Sequence, residues 1–125
     1  MTARLPSALC LLLMPFAFIG CGKDCQSTCN KLYGTTPNCG DKFGDEEYGL
    51  LGSETRGEKV SDCMDACEGA LKVPGELGDY DPYEKKDQDK EDPELKNDRQ
   101  VALWMECVAE TDCQNLKEGY CSPVW

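Results

Sequence analysis

Apolar positions along the 125-residue chain gather into separate runs, and the runs differ in period. Residues 5–19, LPSALCLLLMPFAFI, hold no charge at all. Residues 25–33 place Cys25, Cys29, Leu32 and Tyr33 at i, i+4, i+7 and i+8, one face of a helix. Asp24 stands before this run as a cap, and Gly34 stands where a helix commonly stops. A second helix, over about 58–71, puts Val60, Cys63, Met64, Cys67 and Leu71 on one face. Asp92-Pro93 reads as a third helix start, a capping carboxylate followed by proline at the first helical position. That helix runs to about Ala109 through VALWMECVA, with Ala102, Met105 and Val108, and Val101 or Trp104, expected to meet the other two. An exposed Trp104 would be a docking anchor; core packing is the expectation. A short helix follows, capped by Thr111 or Asp112 and stopped by Gly119. The predicted fold class is all-α: a helical hairpin, a third helix and a short C-terminal helix, joined by long loops, with Cys39 on a turn.

The first run differs because no polar face alternates along it, as a buried helix of the body would require. With Arg4 ahead of it, it fits the short apolar region of a secretory signal. Crossing a bilayer takes about 20 apolar residues; this run is shorter and is broken by Pro6 and Pro15. Residues 1–20 are therefore expected to be a signal peptide. Residues 21–125 form one domain with an acidic linker at 72–92.

Ten cysteines in the chain, nine once Cys10 leaves with the signal, is a density found in oxidising compartments. Structural zinc favours C-x-x-C knuckles, whereas the pairs here are C-x-x-x-C and histidine is absent. Four residues at 1.5 Å rise set successive sulfurs about 6 Å apart along a helix, so two such helices can carry a two-rung disulfide ladder. Antiparallel packing pairs Cys25 with Cys67 and Cys29 with Cys63. Parallel packing swaps the partners, and the 30–62 connection is long enough for either. The antiparallel pairing is the expected one, and the arrangement resembles the twin C-x-x-x-C hairpins of several small oxidised proteins.

Nine is odd, and an odd count in an exported chain calls for a free thiol, an intermolecular bridge or a modification. Phe18-Ile19-Gly20-Cys21 resembles the lipobox of bacterial lipoproteins, in which a small residue precedes a cysteine that takes up a diacylglyceryl group and becomes the new N-terminus. The resemblance implies lipid on Cys21, palmitate among the acyl chains, and eight cysteines that pair evenly. Gly22 stands where aspartate would mark inner-membrane retention in that family, which implies the outer membrane. Cys107-Val108, Cys113, Leu116, Gly119 and Cys121 resemble the C-terminal module of small cysteine-rich lipoproteins of myxobacteria and their relatives. The three cysteines there and Cys39 make two more bridges. Four cysteines allow three connectivities; Cys107 with Cys121 and Cys39 with Cys113 is the expected one.

Removal of Arg4 leaves 12 Lys and Arg against 24 Asp and Glu, a net charge of −12, which argues against nucleic acid and anionic lipid surfaces as partners. Asp79, Asp81, Asp87, Asp89 and Glu91 suggest calcium, since hard cations take several carboxylate oxygens. An EF-hand loop counted from Asp87 needs glycine where Asp92 stands and glutamate where Asp98 stands. A solvated linker is the expectation and calcium the alternative. Catalysis has little to work with: no histidine to act as a base near neutral pH, no phosphate loop, no G-x-S-x-G and no S-x-x-K. No cofactor and no enzymatic activity are expected. The expected function is a non-catalytic envelope component, tethered to the membrane by lipid and presenting its acidic surface to an unidentified envelope protein. The myxobacterial resemblance implies an accessory part of gliding-motility or cell-contact machinery. The alternatives are a divalent-cation or small-ligand binding lipoprotein, and a disulfide-rich effector or inhibitor released without lipid.

Overall fold

Helix caps and C-x-x-x-C pairs set the architecture of the computed structural model, which describes residues 23–35, 37–41, 50–51, 54–86 and 94–123. Among them are four helices, no strands and four disulfides, joined by long loops: α1 (Cys25–Tyr33), α2 (Arg56–Leu71), α3 (Asp98–Glu110) and α4 (Cys113–Glu118).

Each helix begins at a side chain that accepts orphan backbone N–H groups. Asp24 and Ser27 form a reciprocal capping box on α1, as Thr55 and Glu58 do on α2. Gly34 ends α1 with ordinary φ of −73°; glycine is needed because a Cβ there would overlap the Asn30 carbonyl and come within 2.7 Å of Asn38 Nδ2. Gly119 instead ends α4 in the left-handed region, at φ 116°.

The third helix starts five residues later than its proline signal suggests. Residues 94–97 are not helical, and Asn97 Oδ1 accepts from the N–H groups of Arg99 and Gln100 at 3.1 and 3.0 Å. Asn97 wins as the cap because its Nδ2 also donates to the Glu76 carbonyl at 2.8 Å, a tertiary bond that fixes the helix start. The buried face of α3 is Val101, Trp104, Met105 and Val108, with Ala102 turned to solvent. Trp104 is fully buried and its indole N–H donates to the carbonyls of Cys121 and Pro123, both at 3.0 Å, so it is a core residue and no docking anchor. On α2 the inward residue of the last turn is Ala70, while Leu71 is 42% exposed.

Helices α1 and α2 are antiparallel. The Cys25–Cys67 and Cys29–Cys63 bridges span Cα–Cα distances of 5.8 and 5.9 Å. At the far end of the pair Arg56 donates to the Tyr33 carbonyl at 2.7 Å and meets Asp41 at 2.6 Å. Helix α3 runs parallel to α1: the Asp98 N–H donates to the Val73 carbonyl just past α2, and Lys31 late in α1 reaches the carbonyls that end α3. The 39–113 and 107–121 bridges then hold the loop after α1 and the C-terminal turn.

Candidate functional site

The expected site residues divide between the disulfide framework and segments outside the described residues. Cys21, the expected lipid attachment, lies outside them, as do Asp87, Asp89 and Glu91 of the calcium alternative. Asp79 and Asp81 are described and exposed. Asp81 Oδ1 accepts from the Tyr83 N–H at 3.0 Å, the local turn bond typical of aspartate. No group of three or more Cys, Asp or Glu placed to hold a metal occurs among the described residues. The four bridges join Cys25 to Cys67, Cys29 to Cys63, Cys39 to Cys113 and Cys107 to Cys121.

The described part of the acidic 72–92 segment has mostly exposed side chains on a backbone fastened at several points. Gln100 donates to the Leu77 carbonyl at 3.1 Å, Tyr80 Oη to the Ser122 carbonyl at 2.8 Å, and the Cys121 N–H to the Pro82 carbonyl at 2.7 Å. Lys86 N donates to the Gly119 carbonyl at 3.0 Å, and Pro82 is fully buried. Through residue 86 this is a strap across the helices and no free linker. The Tyr80 phenol pays for its place with a pKa pushed well above the ordinary tyrosine value, first by burial and then by neighbouring Asp81.

The body therefore has two distinct ends. At one lie Lys23, the starts of α1 and α3, and the 71–77 turn. At the other, about 18 Å along α3, an open groove of about 320 Å³ is lined by Tyr83, Glu110, Thr111, Asp112, Asn115 and Tyr120, with Cys107 at its base. Tyr83, 45% exposed, places its Oη 3.4 Å from Glu110, and its phenol pKa is raised by partial burial and then by the charges of Glu110 and Glu106. Phenol rims and carboxylate acceptors suit basic or amide groups. Thr111 Oγ1 donates to the Cys107 carbonyl at 2.7 Å, so the one groove hydroxyl outside the phenols is spent on the helix end.

Lys31 is a structural residue that its sequence position does not disclose. Its ammonium donates to the carbonyls of Val108, Ala109 (3.1 Å) and Thr111 (2.7 Å), closing the negative end of α3. Partial burial lowers its pKa, and Asp112 opposes that shift. The partners are more than 75 residues away in sequence, and a lone lysine in the last turn of a helix gives no sign of them. Among the described residues no buried polar side-chain atom lacks a hydrogen-bond partner and no helix is long and apolar enough to cross a membrane. In comparisons with known proteins, the chain matches no family model, no curated protein and no solved structure.

Proposed function

We propose that this chain is a non-catalytic lipoprotein of a bacterial cell envelope, exported by residues 1–20, anchored by lipid on Cys21, and acting as an accessory or interaction component of a surface complex. The observation that carries this reading is the cysteine pairing. Four bridges use all eight cysteines after Cys21, so Cys21 is the cysteine of the mature chain left for a modification. Its setting after Phe18-Ile19-Gly20 favours a thioether to diacylglycerol. One acyl chain holds a membrane only marginally, at about 0.8 kcal/mol per buried methylene, whereas two or three make a lasting anchor. Four bridges, each stabilising by about 2–4 kcal/mol, suit a small body that must persist in an oxidising compartment.

The partner-facing part in this reading is the end remote from the anchor, where the Tyr83–Tyr120 groove offers acceptors to a basic segment of an envelope protein. The resemblance to myxobacterial lipoproteins points to gliding-motility or contact-dependent machinery at the outer membrane. A deletion strain with normal single-cell gliding and adhesion removes that version alone. Intact mass of the protein from its native membrane tests the anchor. An N-terminus at Cys21 with added acyl mass, and eight hydrogens missing for four disulfides, is the expected result. A start elsewhere, or a free thiol at Cys21, overturns it.

A further inference from the structure

Of the four large apolar side chains exposed among the described residues, three lie in one turn: Leu71 (42%), Val73 (48%) and Leu77 (37%). The ladder fixes where that turn sits. Cys25 at the start of α1 is bonded to Cys67, and Leu71 lies one helical turn beyond Cys67, so the chain enters the body at Lys23 beside the 71–77 turn. The Asp98 N–H to Val73 carbonyl bond, 2.8 Å, brings the start of α3 to the same place.

We propose that this end is a membrane-contact face, with Leu71, Val73 and Leu77 seated in the interfacial layer of the bilayer that holds the anchor; the inference rests on the lipid-anchored reading of Cys21. Lys23 is two chain steps from Cys21, a reach of at most about 7 Å, so a lipidated Cys21 keeps this end at the headgroups. Part of the backbone of the turn is bonded within the protein. The carbonyls of Val73, Glu76 and Leu77 accept from Asp98 N, Asn97 Nδ2 and Gln100 Nε2, and the Gly75 N–H donates to Asp98 Oδ1 at 3.3 Å. These bonds leave the apolar side chains outward and reduce the number of bare backbone groups presented to lipid, each of which would be costly. Lys72, Lys96 and Arg99 are exposed at this end and within reach of headgroup phosphates, among the acidic Asp24, Glu76, Glu94 and Asp98, with Arg99 3.8 Å from Glu76. The outer face of α2 carries Glu58, Asp62, Asp65 and Glu68.

The test uses the full protein purified from membranes and reconstituted in phosphatidylcholine–phosphatidylethanolamine vesicles, with part of the lipid brominated on its acyl chains near the headgroup. Tryptophan is introduced as Val73→Trp, as Leu77→Trp in a second variant, and as Gly57→Trp at the opposite end of α2, where an added side chain meets open space. Intact mass is read first, for acyl mass and four disulfides. Quenching at position 73 or 77 at least threefold above that of the unsubstituted protein, with position 57 unchanged, is expected. Acyl mass present with positions 73 and 77 unquenched overturns the contact face and leaves the anchor standing, as when a protein partner or another part of this chain covers the patch. Equal quenching at 57 and 73 also overturns it. Absence of acyl mass overturns the anchored reading and this inference together.

Discussion

Replacing Cys29 and Cys63 together by alanine removes the inner rung of the ladder, and its cost is set by what the outer rung still does. In the chain-entropy picture a cross-link closing n residues removes about 2.1 + 1.5R ln n cal/mol/K from the unfolded chain. Alone, the outer bridge, at a sequence separation of 42, is worth about 3.9 kcal/mol at 25 °C, and the inner, at 34, about 3.8 kcal/mol. The two are nested, so with one closed the other closes only the difference between the separations, 8 residues, and adds about 2.5 kcal/mol. Removing either rung should therefore cost about 2.5 kcal/mol, and removing both about 6.4 kcal/mol, more than the sum of the singles by about 1.4 kcal/mol. The buried sulfurs lost to alanine contribute to single and combined variants alike and largely cancel in that difference. Urea unfolding of the two double-alanine variants and the quadruple one measures it. Additive costs would refute the nested-loop account and place the stabilisation in native-state contacts. A combined loss no larger than a single one would refute the ladder itself.

Other outcomes follow from bonds that cross between elements. Trp104→Phe deprives the Cys121 and Pro123 carbonyls of their shared donor and should lower stability by about 1–3 kcal/mol in thermal unfolding; no change would mean the indole N–H is dispensable. Asn97→Ala removes both the α3 cap and the Glu76 bond, at about 2 kcal/mol, whereas Asn97→Asp keeps the cap and should lose only the protection of residues 75–77 in hydrogen exchange. Tyr80 has a raised folded-state pKa, so its contribution is intact below the ordinary tyrosine value of 10.0 and declines above it, because the unfolded chain releases the proton first. Stability should fall by about 1.4 kcal/mol per pH unit on this account above pH 10, and Tyr80→Phe should flatten that slope while losing about 1 kcal/mol at neutral pH. An unchanged slope would place the alkaline sensitivity elsewhere.

The parts of this fold that the sequence discloses are those with a local repeat. C-x-x-x-C on a 3.6-residue helix brings both sulfurs to one face, and Asp24, Asp112 and Gly119 are strong local stops and starts. Three features escape such reading for separate reasons. VALWMECVA is apolar nearly all round, so periodicity alone does not choose between Ala102 and the Val101–Trp104 edge. Asp92-Pro93 and Asn97-Asp98 both signal a helix start, and the choice falls to the Glu76 carbonyl, a partner 21 residues away. The strap is fastened largely through backbone carbonyls, which leave no mark in composition, so an acidic stretch looks free when it is pinned.

The same limit separates the two ends of the molecule. Leu71 belongs by spacing to the apolar stripe of α2, and Val73 and Leu77 look like ordinary members of a polar loop. Only the Cys25–Cys67 bridge brings the end of α2 to the start of α1 and gives their exposure a direction. The groove likewise forms from residues on the strap, the end of α3 and the C-terminal turn, which meet because the Pro82 carbonyl accepts from the N–H of Cys121, the residue bonded to Cys107. Helices that start near Lys23 and end near the groove put the two surfaces a full helix apart. In the proposed anchored state the body would hold one end at the bilayer and turn the other outward, and the disulfides that replace a large core would also set its orientation.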